Sequence, residues 1–568
     1  MVGESSCSRC SSIGGQQVES GPTTPGASRD QISARGSIRM NTDADVVIVG
    51  AGPTGLMMAL LLAHHGVGCA VLERSTVPSQ TPRARAVTLR TMEVLRILGL
   101  DNEVAAAAMA NEQTGLPFTF ARTLAEAQPA QTTTMVRRGA RAEHSPCTTV
   151  MCPQDVVERI LLTRTAATPL IQLRHEVQVH RVDMHNDNVA VHTIDDASLL
   201  ARYVIGADGA SSLIRRSCGP AEKSDGAAPS MAGHAVANTL VLFEADLTEF
   251  VAALNSTIYF LDHNGIRGYL QPTAQPHRWT FNQLHDDQSP LAQADPAAAV
   301  QQVLGATVSV RILETTNWAM RSAVAPWFQH GPVFLAGDAA HVVSPFSGSG
   351  MNLGAQDAAN LAWKLAAVLR GHAAPALLST YEPERRPVAL RNVEEDRRNV
   401  SIVHNDTGWR QWSTELPRRR TKDGLLLGYR YHSTAVLLDD GPCPPEPAYT
   451  HYVPSARPGD RAPHCWLDDH RTSTVDLHRH GFALLAPDPA WAQHAAEAAT
   501  VLNLPVTALP ETTATTTRAE LAELYQLDRG AVLIRPDGHI CWRCNQPPPN
   551  PARAIVTALR TILGQPAP

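Results

Sequence analysis

The sequence has no apolar run of membrane-spanning length, no apolar stretch near its N-terminus of the kind a secretory signal needs, and no large excess of either charge. The first two gaps argue against a membrane or secreted protein, and a cytoplasmic location is expected. With 48 basic and 54 acidic residues the formal net charge is −6, which provides no electrostatic footprint for nucleic acid or an anionic membrane. Cysteine is sparse: ten residues in 568 form no framework, so reduced thiols are expected rather than disulfides. Two C-x-x-C pairs, Cys7 with Cys10 and Cys541 with Cys544, stand at opposite ends of the chain. Neither has a second ligand pair at matching spacing, so no metal site is expected. The later pair ends a strand instead of opening a helix, unlike a redox-active thioredoxin pair, and reads as structural.

What the chain does have is length and apolar content. Its 568 residues, 43% of them hydrophobic, can build several cores. Residues 1–40 are rich in Ser, Gly, Gln and Thr without an apolar period, and disorder is expected there. Everything after them is organised around Asp45 to Arg74, DVVIVGAGPTGLMMALLLAHHGVGCAVLER. A short β-branched run, as a buried parallel strand reads, leads into Gly50, Gly52 and Gly55 with G-x-G-x-x-G spacing. The first glycine allows the tight turn, the second lets backbone approach a pyrophosphate, and the third lets the helix pack close to the strand. An apolar helix from Thr54 ends at Gly66, and a second strand delivers Glu73, 73 − 50 = 23 residues past the first glycine. An acid there can accept hydrogen bonds from an adenosine ribose. Strand, glycines, helix, strand and acid fall in order, so dinucleotide binding is expected, although this block alone does not choose between FAD and NAD(P).

Two further blocks carry the same logic. Tyr203 to Arg216, YVIGADGASSLIRR, is a buried strand ending in an Asp208-Gly209 turn, with Ser212 and Arg215 behind it. Val333 to Leu365 is a strand ending in Gly337-Asp338, a loop with Pro345, Gly348 and Gly350, and a long helix from about Met351. Backbone N–H groups at a helix N-terminus reached through glycines stabilise negative charge. Arg83, Arg85 and Arg90 lie before or on a helix reading from Val87 to Leu98, and could pair with pyrophosphate oxygens or simply face solvent. Gln154 follows a proline that opens another helix. Between about 220 and 330, alternating and aromatic runs suggest an antiparallel sheet as a cavity wall. Tyr259, Tyr269, Gln271, Trp279 and Phe281 are its candidate pocket residues, with ordinary sheet packing as the plainer alternative.

In the order and separation of these three blocks the chain resembles the class A flavoprotein monooxygenases, the family of p-hydroxybenzoate hydroxylase, phenol hydroxylase and the aromatic polyketide hydroxylases. The C-terminal PGDRAPHCWL and RPDGHICWR stretches resemble the subgroup with a thioredoxin-like third domain. The resemblance implies an α/β fold: a Rossmann-like FAD-binding domain with an inserted mixed or antiparallel substrate sheet and a thioredoxin-like C-terminal domain. It implies domains at 41–219 and 331–400 for FAD, 220–330 for substrate, a connection over 401–450, and 451–568 for the third domain. Gly50, Gly52, Thr54 and Gly55 would hold the FAD pyrophosphate and Glu73 the ribose with Arg74 beside it, while Arg83 and Gln154 flank the cofactor. Asp338, Pro345, Gly348, Gly350, Met351 and Asn352 would surround the ribityl chain and ring, and Asp208 and Gly209 would form the motif shared by FAD and NAD(P)H. Ser347 and Ser349 replace the Gly and Gln of many members.

The implied activity is hydroxylation of a phenol-like aromatic or heteroaromatic by NAD(P)H, with NADPH favoured, and O2, through a flavin C4a-hydroperoxide. It would serve secondary metabolism or aromatic catabolism. Baeyer-Villiger insertion, epoxidation or a silent flavin-fold binding protein are the alternatives. A homo-oligomer is expected by analogy, and no general base is recognisable from spacing.

Overall fold

The computed structural model describes residues 43–76, 84–108, 117–134, 143–185, 188–219, 235–254, 256–273, 275–285, 295–404, 422–439, 449–468 and 470–566. Arg83, Cys7 and Cys10 lie outside these ranges.

The first layer is a parallel sheet. Strand β1 (Ala44–Val49) enters the glycine turn, helix α1 (Pro53–His64) follows, and β2 (Cys69–Leu72) returns beside β1. Next come α2 (Leu89–Ile97), β3 (Ile171–Arg174), β4 (Ser198–Gly206), α3 (Leu213–Cys218), β5 (Val333–Leu335), α4 (Gly350–Leu369) and α5 (Tyr381–His404). In space the order is β5-β4-β1-β2-β3, all parallel, with an antiparallel edge strand Gln329–His330 outside β5. Val46, Val47 and Ile48 are fully buried, as expected of a strand covered on both faces. The glycine turn thus opens at the carboxyl ends of the central strands, the usual crevice of an open α/β sheet.

The second layer is a seven-stranded sheet in the order Arg311–Arg321, Ala235–Glu244, Arg278–Leu284, Ile266–Pro272, Ile258–His263, Pro117–Ala121, Thr132–Thr134. Every pair is antiparallel except Ile258–His263 with Pro117–Ala121. Sequence reasoning left residues 117–134 with the dinucleotide half. They join the seven-stranded sheet because Pro117–Ala121, besides pairing with nearby Thr132–Thr134, lies parallel to Ile258–His263, and its Thr119 bonds Ser256, 137 residues on.

The C-terminal part has the element order β-α-β-α-β-β-α over Phe482–Ile562, with its sheet ordered Val506–Ala508, Phe482–Leu485, Ala531–Ile534, Ile540–Cys544. This is a thioredoxin-like arrangement. Cys541 and Cys544 are free thiols on the last strand, and burial pushes both thiols up, the reverse of a reactive thiolate. Among the described residues no group of His, Cys, Asp and Glu could hold a metal, and no helix is long and apolar enough to cross a membrane.

The segment after α5 is more than a connector. Tyr429, Tyr431 and Val436 pack with Leu353 of α4 and Val388 of α5 in one buried cluster. Onto it the hairpin Arg535–His539 of the C-terminal domain delivers two fully buried charged side chains. Arg535 donates in a fork to Glu384 of α5 at 2.6 and 2.8 Å, and to Asp537. Lys364 of α4 reaches the same Glu384 at 2.7 Å, so two carboxylates meet two cations without solvent.

Two imidazoles share this interface. His478 is held neutral, its pKa lowered to about 4 by burial and the nearby Arg90, and burial lowers His539 to about 3. Both stay unprotonated in the folded protein while the unfolded chain takes up protons below about 6.5, so stability falls as pH drops from there toward 4. Together they should cost roughly 3 kcal/mol at pH 5.5 relative to pH 8, read as a fall in Tm by calorimetry. Carboxylates such as Asp357 and Asp537, held at about 2, add their losses only below the ordinary carboxylate range.

Candidate functional site

The three sequence blocks meet in one place. Gly50 has φ +104, and a Cβ there would strike the Ala207 carbonyl and lie 3.2 Å from Asp208 Cα. A Cβ at Gly55 would strike the Gly50 carbonyl. Gly337, at φ +62, leaves 2.5 Å between its would-be Cβ and Thr54 Oγ1, and Gly354 of α4 packs on the same threonine. The glycines are therefore what let β1, β4, β5 and α4 close on α1. Arg215 fastens the Asp-Gly block to the Gly-Asp block, donating to the Ala339 carbonyl at 2.8 Å and the Ala210 carbonyl at 2.7 Å.

Around this junction lies a cradle with the chemistry of an anion site. A Cβ at Gly52, Gly209 or Gly348 would meet nothing within 4 Å, so backbone faces open space at all three. Both α1 and α4 begin without a side-chain cap, which leaves first-turn N–H groups for a ligand. Glu73 fixes the entrance, accepting from the Ala51 amide at 2.8 Å and the Ser75 amide at 2.9 Å, with Arg74 exposed beside it. Asp208 accepts from the amides of Leu213 and Ile214 with one oxygen, capping α3. Asp338 is exposed between buried neighbours, Pro345 is exposed, and Asp338 Oδ1 lies 3.8 Å from the would-be Cβ of Gly350. Gln154 donates to Glu158 at 2.7 Å. A pyrophosphate and a ring carrying negative charge fit this donor set.

Several sequence candidates turn out to hold protein to protein. Asn352 accepts from the Thr88 amide and from the hydroxyls of Thr88 and Thr91, and donates to the carbonyls of Ala86 and Gly348. Its side chain is consumed in tying α4 to α2, while Met351 beside it is buried. Arg90 is buried away from solvent: it pairs with Glu93 at 2.8 Å and donates to the Asp537 carbonyl. Arg85 is buried, and its charge is felt by Tyr269 of the seven-stranded sheet. Ser347 and Ser349 rigidify the loop through bonds to Ser344 and to each other.

The pocket candidates divide by sheet face. Tyr259, Trp279 and Phe281 point into the core packed on the helix Pro296–Leu304, so sheet packing explains them. Tyr269 lies on the opposite face with Phe118, Phe260 and Met320, and Gln271 shares that face by strand alternation. Thr280 and Asn282, which sequence reasoning did not single out, extend it, because Asn282 pairs with Tyr269 and Thr280 with Gln271.

Asp357, Arg385 and Asp396 carried no local signal in the sequence. Asp357 accepts the Gly337 amide at 3.0 Å and His341 Nε2 at 2.6 Å with one oxygen, and Arg385 Nε at 2.8 Å with the other. Burial alone would raise its carboxyl, but His341 and Arg385 hold it at about 2. Asp396 of α5 grips the loop before Pro345, accepting the Ser344 amide and hydroxyl, each at 2.6 Å, and burial pushes its carboxyl above the usual range.

Known proteins share this architecture. Residues 43–396 match the FAD binding domain family and residues 455–566 the aromatic-ring hydroxylase C-terminal family. The chain is 33% identical to 4-methyl-5-nitrocatechol 5-monooxygenase of a Burkholderia species over 92% of its own length and 98% of the relative's. It is equally identical to aklavinone 12-hydroxylase RdmE of Streptomyces purpurascens, over 92% and 99%. The crystal structure of a ternary complex of aklavinone-11 hydroxylase with FAD and aklavinone superimposes with a TM-score of 0.81 at 31% identity, covering 93% of this chain and all of that one. The three glycine-built blocks, the seven-stranded sheet and the C-terminal domain thus belong to an FAD-dependent aromatic-ring hydroxylase, a member of the flavoprotein monooxygenase family.

Proposed function

We propose that the enzyme takes electrons from NAD(P)H, with NADPH preferred, and inserts one atom of O2 into a phenol-like aromatic or heteroaromatic ring. The observation that carries the substrate side is the inner face of the seven-stranded sheet, where Phe118, Phe260 and Tyr269 cluster beside Gln271, Thr280 and Asn282. An aromatic wall set with a few amides and hydroxyls holds a flat ring and reads its oxygen substituents. The relatives' names, a nitrocatechol monooxygenase and an aklavinone hydroxylase, support both single-ring and fused-ring phenols.

FAD, when bound, supplies the electron relay and the oxygen activation. The chain's own groups do the rest. Gly50, Gly52, Thr54 and Gly55 would present the α1 N-terminus to the pyrophosphate, Glu73 with Arg74 would take the ribose, and Gln154 would flank the cofactor. Asp338, Pro345, Gly348 and Gly350, with the backbone of Met351 and Asn352, frame the ribityl chain and ring, while Asp208 and Gly209 line the nucleotide side. The buried aromatic sheet face excludes water from the reacting oxygen. A homo-oligomer in the cytoplasm completes this reading, and light scattering on the purified protein checks its assembly.

The test is a panel of phenols, hydroxypyridines and fused-ring polyketides assayed for acceleration of NAD(P)H oxidation, with hydrogen peroxide measured in parallel. A true substrate accelerates oxidation with little peroxide and acquires one labelled oxygen from 18O2 on a ring carbon. A lactone product would replace this reading with ring expansion. Tyr269→Phe and Gln271→Ala are expected to raise KM about tenfold, the loss of one hydrogen bond to substrate, while Trp279→Phe leaves it unchanged.

A further inference from the structure

The thioredoxin-like domain lacks a reactive thiol pair, and its hairpin reaches far into the FAD-binding half. His539 stacks on Tyr431 with ring centroids 4.0 Å apart, and the Arg535 guanidinium lies 5.3 Å over the same ring. The Tyr431 hydroxyl accepts from Arg385 at 3.2 Å. Arg385 is fully buried and touches both halves of the cofactor cradle: its Nε holds Asp357, which holds the Gly337 amide, and its remaining nitrogen donates to the Leu353 carbonyl in the first turn of α4. The neighbouring residue on α5, Glu384, is the one that Arg535 clamps.

We propose that the Arg535–His539 hairpin is a positioning element for the flavin turn, setting Gly337-Asp338 and the α4 N-terminus through Tyr431, Arg385 and Asp357. The C-terminal domain thereby takes part in cofactor binding without entering the cradle. Tyr431, Arg385 and Arg535 are positioning residues: each acts on the turn through another side chain. A planar fork with fixed donor directions suits this task, because Arg385 must satisfy a carboxylate, a hydroxyl and a carbonyl at once. The inference holds for any aromatic substrate, since it concerns FAD alone.

A second cluster at the same interface serves as the internal control. Arg461 of the C-terminal domain pairs with buried Glu93 of α2 and donates to the Tyr452 hydroxyl at 3.4 Å, with no hydrogen bond to Asp357, Gly337 or Leu353. Tyr431→Phe and Tyr452→Phe each delete one buried hydroxyl bonded to an arginine, so general loosening of the interface predicts similar effects from both.

The experiment titrates the full-length apoprotein of each variant with FAD by fluorescence quenching, and records the visible circular dichroism of the bound flavin and the urea midpoint. Tyr431→Phe is expected to raise the FAD Kd about tenfold and change the flavin dichroism, with a urea midpoint near the parent's because the ring stack remains. Arg535→Lys, which keeps the charge and loses the fork, should shift both flavin readouts in the same direction, and Tyr452→Phe should leave them within about twofold of the parent. Parent-like Kd and dichroism in both Tyr431→Phe and Arg535→Lys would overturn the proposal. So would an equal flavin defect in Tyr452→Phe.

Discussion

A Gly50→Ala protein is expected to purify colourless, with FAD affinity reduced at least a hundredfold, about 3 kcal/mol or more. Two costs act together. An alanine at φ +104 is strained by roughly 1–2 kcal/mol, and its methyl would overlap the Ala207 carbonyl, pushing β4 and Asp208 away from the turn. Gly52→Ala separates folding from binding. Its methyl meets nothing within 4 Å of protein, so the apoprotein should melt with the parent, yet the methyl would occupy the space assigned to the pyrophosphate. Absorbance of the purified proteins and equilibrium dialysis with FAD give the answer. A Gly52→Ala protein that binds FAD normally would remove the turn from the pyrophosphate site.

The second large effect is on stability. Arg535→Ala should cost about 5 kcal/mol, at the upper end for breaking a buried pair, because it strands two carboxylates, Glu384 and Asp537, where no solvent reaches them. Lys364 and Asn360 still face Glu384, but neither replaces the fork. Urea unfolding would show the loss, with the C-terminal domain released first. The double variant Arg535→Met, Glu384→Leu should recover part of it, since an apolar pair leaves fewer charges stranded than the single variant does. A single variant as stable as the parent would mean that water reaches the cluster.

Much of the cofactor side was legible in the chain because its signals are local. Gly50, Gly52 and Gly55 are required by the turn they make, and Gly337-Asp338 follows its strand as Asp208-Gly209 follows another. Hence the three blocks could be matched to one fold before any contact was known. What escaped notice depends on partners far along the chain. Arg90 looked like a residue for phosphate or solvent, and only the arrival of Asp537, 447 residues later, makes it an interface residue. Tyr259 and Tyr269 have the same composition-level signal, and the sheet register alone puts one in the outer core and the other on the inner face. Asp357 and Asp396 sit among ordinary helical residues, and nothing nearby marks them as the carboxylates that hold Gly337 and Ser344. The resemblance places Asn352 around the ribityl chain and ring, and the hydrogen bonds of its side chain, to Thr88, Thr91, Ala86 and Gly348, are invisible at that level.

The wide spacing of those blocks also bears on biosynthesis. Helix α1 is apolar nearly all round and buries Gly55 to Leu62 largely against α4, which begins at Gly350. At about 5–20 residues per second, a ribosome takes roughly 15–60 seconds to travel from Gly50 to Gly337, and through that interval the nascent helix has no lid. Chaperone capture on the growing polypeptide is the natural safeguard. Truncated chains ending before α4 should aggregate when synthesised without it.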